Sequence, residues 1–305
     1  MKKYIFIHLF LLISAGVFGQ RDALYYQYLH NYHILNPAFT GIQEKPIFHL
    51  VDRHQWIGLN GAPNTITLSG QGMLRNEKIG LGGYMYVDRL GPTVDFGVMT
   101  TYAYILEFPV GKLSMGLQFG LKQTRIDWQE LSMENMNDYY LIVQPKPLTL
   151  PDANFGVYYY TPDFFMGFST THLFDKYFLA LYDNREYSEF AFTQNVYLYT
   201  GGFIKIRNMV LKPSVLVKYW EEGNWGVDIN TALKINNLIW VGASYRSNTR
   251  SFVMLTELRV SSRLKIGYSF DSYLGDIGNY NVGSHEIRLC WDKQTKKKPY
   301  VGDFF

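Results

Sequence analysis

The chain has 305 residues, 47% hydrophobic and 17% aromatic, with 25 Tyr, one cysteine and a formal charge of +3. One cysteine excludes an internal disulfide, and so balanced a charge lacks the concentrated basic face that nucleic-acid binding needs. Tyr and Trp favour membrane–water interfaces, and a mean hydropathy of −0.12 suits a chain in which only alternate residues face lipid.

Lys2 and Lys3 precede an apolar run, Tyr4 to Phe18, closed by Gly19. A basic stretch, a short greasy stretch and a small residue form the pattern of a secretory signal peptide, so residues 1–19 are expected to be cut off after Gly19. The run falls short of the roughly 20 residues of a full membrane span, and no Cys follows it to carry a lipid anchor. Losing the leader removes two lysines and leaves 27 basic side chains against 26 acidic ones. Residues 20–46 show no strand period and contain Asn36-Pro37 and Gly41, a turn-rich passage. They are expected as an N-terminal periplasmic segment or a small plug in a barrel mouth.

From residue 47 an apolar/polar alternation restarts every fifteen to twenty residues. It is clearest in Leu113, Met115, Leu117, Phe119 and Leu121, interleaved with Ser114, Gly116, Gln118, Gly120 and Lys122. It recurs in Leu264, Ile266, Tyr268 and Phe270. Successive strand side chains point to opposite faces, so one face is greasy and the other polar. With an export signal and strand-end aromatics, this predicts an all-β fold: a transmembrane antiparallel β-barrel of about 14 strands over residues 47–292, with a periplasmic tail at 293–305. The expected strands are 47–55, 65–73, 78–88, 93–106, 112–124, 153–161, 163–171, 189–205, 209–220, 225–234, 237–247, 251–260, 262–272 and 283–292. Every second connection is then short, and all the long ones, 56–64, 125–152, 172–188 and 272–282, fall in the other set. Short periplasmic turns and longer outer loops are the outer-membrane rule, which places the chain in the bacterial outer membrane. Lys212, Lys218, Asp228, Lys234, Glu286 and Arg288 alternate with apolar neighbours and are assigned to a polar lumen, because a charge facing lipid costs a few kcal/mol near the midplane. Cys290 is assigned inward as a small filler.

Candidate chemistry is sparse. Asp52 and His54 share a strand face, an arrangement usable in hydrolysis, but no further partner is identifiable. His30 and His33 are one helical turn apart, yet a metal site needs three or four ligands. Asp127, Glu130, Glu134 and Asp138 lack the spacing and glycine of an EF-hand loop and read as a solvated acidic loop. Lys296, Lys297 and Lys298 read as a solvated tail. The expectation is a non-enzymatic protein with no metal and no cofactor.

Asn36-Pro37-Ala38-Phe39-Thr40-Gly41 is followed by Arg53, Gln55, Trp56, Gly58 and Gly61-Ala62-Pro63. Gly91-Pro92-Thr93, Asn154-Phe155-Gly156 and Gly283-Ser284-His285-Glu286-Ile287 come later. This combination resembles the PorP/SprF family of Bacteroidetes outer-membrane proteins associated with type IX secretion and gliding motility, over the mature chain to about residue 292. Asn60 departs from the Asp that the family favours. The resemblance implies an accessory of type IX secretion that docks or anchors a secreted surface protein through that protein's C-terminal domain. It also implies pairing with an OmpA-like peptidoglycan-binding protein and with other secretion components. Arg53, Gln55, Trp56, Gly61 and Pro63, in the first outer loop and the strand end feeding it, are the expected docking residues, followed by loops 125–152 and 172–188. The alternative is a passive or substrate-specific pore whose lumenal charges set selectivity.

Overall fold

In the computed structural model, the alternating segments pair into one antiparallel sheet that closes on itself. The structure describes residues 27–75, 77–128, 146–174, 177, 194–220 and 223–293; the expected leader, most of loops 125–152 and 172–188, and the tail beyond Lys293 lie outside them. The strands are β1 (Ile47–His54), β2 (Asn64–Met73), β3 (Ile79–Leu90), β4 (Thr93–Phe108), β5 (Gly111–Ile126), β6 (Leu148–Tyr160), β7 (Phe164–Thr171) and β8 (Asn195–Gly202). They continue with β9 (Ile204–Ile206), β10 (Met209–Trp220), β11 (Asn224–Ile235), β12 (Ile239–Arg246), β13 (Ser251–Arg259), β14 (Leu264–Tyr273) and β15 (Ser284–Asp292). Sequence neighbours pair in turn, and β1 pairs with β15 from Ile47↔Asp292 to His54↔His285, which closes the ring. β8 and β9 both pair with β10 and together form one stave, so the barrel has 14 staves.

The break in that stave has a sequence cause. β9 pairs with Met209–Leu211 and β8 with Ser214–Trp220. Between these two stretches lies Pro213, which has no N–H to give a ladder. Phe203, at the break, turns its own N–H to Asp163 O at 2.9 Å. The eighth expected strand, 189–205, therefore splits into β8 and β9; its residues 189–193 lie outside the described residues. The sixth, expected at 153, begins at Leu148 and runs through Pro151. β7 pairs only with Phe155–Tyr160, so Pro151 lies on an edge, where a proline is tolerated.

The barrel is inside-out relative to a soluble fold. On β1, Phe48 and Leu50 are 48% and 42% exposed, while His49 and Arg53 between and beyond them are each 2% exposed. The exposed row continues through Ile66, Leu68, Met85, Val98, Leu117, Phe119, Leu198, Ile229, Met254, Ile266 and Ile287. This is the apolar band a bilayer requires. Lys212, Lys218, Asp228, Lys234, Glu286, Arg288 and Cys290 all point inward and are buried. No helix among the described residues is long and apolar enough to cross a membrane, which says nothing about strands.

Residues 27–43 lie inside the ring as three short 3-10 turns, Gln27–His30, Tyr32–Ile34 and Pro37–Phe39. Their contacts reach walls all round the ring. Asn31 Nδ2 donates to Ser69 Oγ of β2 at 3.1 Å, and His33 Nε2 meets Thr101 Oγ1 of β4 at 3.1 Å. Ser169 Oγ of β7 donates to Leu35 O at 2.7 Å, and Lys212 Nζ of β10 donates to Leu29 O at 2.7 Å. Tyr28 OH donates to Asp228 of β11 at 3.2 Å. We call the end where the chain joins the barrel at residue 47 and leaves at residue 292 the near rim. The segment descends from mid-barrel at Gln27 to the near rim, where Lys45 Nζ meets Asp292 at 2.9 Å.

One half of the lumen departs from the sequence expectation. Tyr158, Tyr160, Phe165, Tyr197, Tyr199 and Leu216 form an apolar wall against Tyr28, Leu29, Tyr32 and Phe39. Tyr32 stacks on Tyr199 with centroids 4.7 Å apart, and Lys212 Nζ sits 5.1 Å from the Tyr32 centroid. Tyr28, Tyr32, Tyr158, Tyr160, Tyr197 and Tyr199 are therefore lumenal, so the high tyrosine content is not all a matter of membrane interfaces. The last four belong to the wall on which the segment packs.

Candidate functional site

At the far rim, the first loop is a small folded unit. Gln55 N donates to Pro63 O at 2.9 Å, Leu59 N to Trp56 O at 3.1 Å and Ala62 N to Leu59 O at 3.3 Å. Gly58 and Gly61 supply positive φ angles of 105° and 70°, and Trp56 adopts 49°. The unit is tied to two other loops. Gly91 N donates to Gly61 O at 2.8 Å, Ile57 N to Gly283 O at 2.9 Å and Val282 N back to Ile57 O at 2.9 Å. Trp56 N donates to Ser284 Oγ at 3.0 Å, and its ring meets Tyr273 edge-on at 6.3 Å. Arg53 is buried below the loop and donates to Gln55 Oε1 at 2.7 Å.

All five expected docking residues, Arg53, Gln55, Trp56, Gly61 and Pro63, therefore fall in one bonded unit. Gly91 and the Gly283-Ser284 ending, remote in sequence, are brought to the same place. Trp56 is half-buried against Tyr273 and serves as an anchor more than as an interface side chain. Sequence reasoning missed the apolar surface carried by the joined loops: Ile57, Leu274, Tyr280 and Val282 are all exposed. Periodicity carries no information in a loop, so burial there becomes visible only in three dimensions.

The lumenal segment forms the second part of the site. Arg288 Nε donates to Gln27 Oε1 at 3.1 Å, and the same guanidinium meets His49 Nδ1 at 3.0 Å. Its other terminal nitrogen donates to Glu257. Gln27 N donates to Glu286 Oε1 at 2.9 Å. Lys218 Nζ lies 2.7 Å from Asp228, with Arg246 at 3.6 Å. These are buried ion pairs, in which removing one partner strands the other charge. Toward the near rim, Asn36 Nδ2 donates to Val157 O and Phe168 O at 3.1 and 3.0 Å, and its Oδ1 caps Ala38 N at 2.8 Å. Burial pushes the His33 imidazole down from 6.5 to about 4. Burial also pushes His30 down, to about 3, with Glu257 pulling the other way.

Other candidates separate. His30 Nδ1 lies 3.9 Å from Glu257 on β13, whereas His33 faces Thr101 on β4, so the two do not share a ligand set. Among the described residues no group of three metal-ligating side chains occurs. Asp52 and His54 do meet, at 3.2 Å, but on the outward face, where His54 also contacts Asn64. Asp127 is held by its N–H to Pro92 O at 2.7 Å; Glu130, Glu134 and Asp138 lie outside the described residues, as do Lys296, Lys297 and Lys298.

Comparison with solved structures finds the TodX ΔS2S3 mutant monoaromatic hydrocarbon channel at TM-score 0.53 and 11% identity, covering 87% of this chain and 94% of that one. The Ralstonia pickettii toluene transporter TbuX matches at TM-score 0.53 and 10% identity, covering 86% and 92%. At such identities the likeness is one of fold: both are outer-membrane-type β-barrels. Among curated proteins nothing matches. Residues 17–291 match the family described as Type IX secretion system membrane protein PorP/SprF. With that match spanning nearly the whole chain and the barrel closed as an outer-membrane protein requires, this chain belongs to the PorP/SprF family of type IX secretion.

Proposed function

We propose that the barrel is a non-enzymatic accessory of type IX secretion that docks a secreted surface protein, by that protein's C-terminal domain, on the far rim. The observation that carries this reading is the bonded unit of Arg53, Gln55, Trp56, Gly61 and Pro63 with its exposed Ile57, Leu274, Tyr280 and Val282. A rigid apolar surface loses little entropy on binding, and exposed apolar patches mark interaction sites. The longest connections, 127–147 and 172–194, join strands at the same rim, which supports placing that rim at the cell surface. An OmpA-like peptidoglycan-binding partner would then meet the near rim, in the periplasm.

The pore reading has the charged lumenal walls in its favour, but residues 27–43 occupy the lumen against walls on every side. That favours docking over steady conduction.

A photo-cross-linker placed at Ile57 or Val282 in the native outer membrane tests the proposal by mass spectrometry. We expect a cross-link to the C-terminal domain of a secreted protein, and none from the near-rim position Val110. Recovery of the barrel alone, from cells that express secretion cargo, would overturn it.

A further inference from the structure

We propose that Arg89 and Arg125 form a site for the phosphorylated headgroup of a membrane lipid, with an acyl chain seated in the pocket beside them. Both lie on the outward face at the far end of the apolar band, and both are exposed. Register places Arg89 directly opposite Val94, and Val94 directly opposite Arg125. Two strand spacings, roughly 10 Å, therefore separate the two backbones. Two such long side chains can converge on one phosphate over the valine between them.

Neither guanidinium has a hydrogen bond or ion pair among the described residues. The nearby acids are turned away or engaged. Asp88 and Asp95 are register partners on the opposite face, taken by the hydroxyls of Thr65 and Thr124. Asp127 is engaged elsewhere. Two free guanidiniums at a bilayer edge are suited to phosphate, which each can grip through two parallel N–H donors.

The surface beside them is concave, with an apolar floor of Val87, Val94 and Phe96. Val87, Val94, Phe96, Gln123 and Arg125 line a pocket of about 210 Å³. Val94 is 8% exposed, whereas Phe96, next along the same face, is 43% exposed. The flanking side chains thus cover the valine. A recess of this kind, facing the bilayer, with Arg125 on its wall and Arg89 beside its Val94 floor, fits a lipid better than a free anion, which would gain nothing from the apolar floor. Basic pockets at the bilayer edge recognise anionic headgroups by the same physics.

Native mass spectrometry of the detergent-solubilised full chain tests this with three probes: a phosphorylated lipid A, the same lipid with its phosphates removed, and inorganic phosphate. We expect one retained phosphorylated lipid, at least tenfold less retention by the Arg89→Gln, Arg125→Gln double variant, and no change in the near-rim variant Arg263→Gln. Equal retention of the dephosphorylated lipid, or undiminished retention by the double variant, would overturn the site. Displacement of the lipid by millimolar inorganic phosphate would reduce it to a plain anion site and also overturn the proposal. Heat-modifiable gel mobility reports folding of each variant, and should the double variant misfold, Arg125→Gln alone gives the same reading.

Discussion

At the scale of single residues, the barrel holds its lumenal segment by leaving side chains out. A Cβ on Gly80 would run into the Thr40 carbonyl, and one on Gly116 into Pro37 and the Ala38 amide. Asn36-Pro37-Ala38-Phe39-Thr40-Gly41 thus lies in a channel of strand glycines. Its asparagine spends both amide hydrogens on strand carbonyls. Pro37 sits at the start of a short turn, where its missing N–H costs nothing. Gly116→Val is expected to displace this segment, at about 1–3 kcal/mol for overpacking a filled interior. The check is a lower midpoint in a heat-modifiability titration. An unchanged midpoint would mean that the segment does not press on β5.

At the scale of elements, what was legible in the sequence was whatever repeats. Alternation located the fourteen staves, and Leu264 to Phe270 could be assigned to the outside from their polar partners alone. The β6–β8 wall was not legible. Tyr158 and Tyr199 are as apolar as lipid-facing residues, and alternation cannot tell which of two greasy faces turns inward. The lumenal segment was legible as a turn-rich passage, either periplasmic or a plug, but its three short turns have no period from which to choose between the two. The bonded rim unit was half legible: Arg53 to Pro63 stood out as a run, while Leu274 and Tyr280 join them through chain pairing no local pattern announces.

The lumenal element also predicts a response to acid. His33 is held neutral, its imidazole lowered from 6.5 to about 4 against Thr101 and the edge of Tyr84. The unfolded state takes up the proton first. The segment's hold is therefore complete above about pH 6.5, weakens as pH falls toward 4, and changes no further on this account below that. His30, lowered to about 3 beside Glu257, extends the loss downward. The thermal midpoint should fall between pH 7 and pH 4.5, and fall less in His33→Asn. Equal falls in both proteins would acquit His33.

At the scale of the whole molecule, the filled lumen separates wall from content. The β10–β15 and β1 walls carry charge on every strand, including Lys212, Asp228, Arg246, Glu257, Lys265 and Arg288. A ring of 14 staves so lined would pass water and ions if emptied. We expect the intact chain to show no steady conductance in a planar bilayer. Deletion of residues 27–43, with the leader kept, should produce it. Steady conductance from the intact protein would show that the segment is not fixed in place and would favour the pore.

The meeting of the first and last strands also dictates an order of folding. Gln27 bonds to Glu286 across 259 residues, and Lys45 to Asp292 across 247. The segment that precedes β1 is thus stapled at two heights to the strand made last. Local hairpins can form as soon as their two strands exist, but contacts this distant come late, because the loop they close is nearly the whole chain. Until β15 arrives, the segment lacks its Glu286, Arg288 and Asp292 anchors and the seam lacks its second strand. Closing the seam and completing the segment's anchorage then fall together, at the last step of assembly.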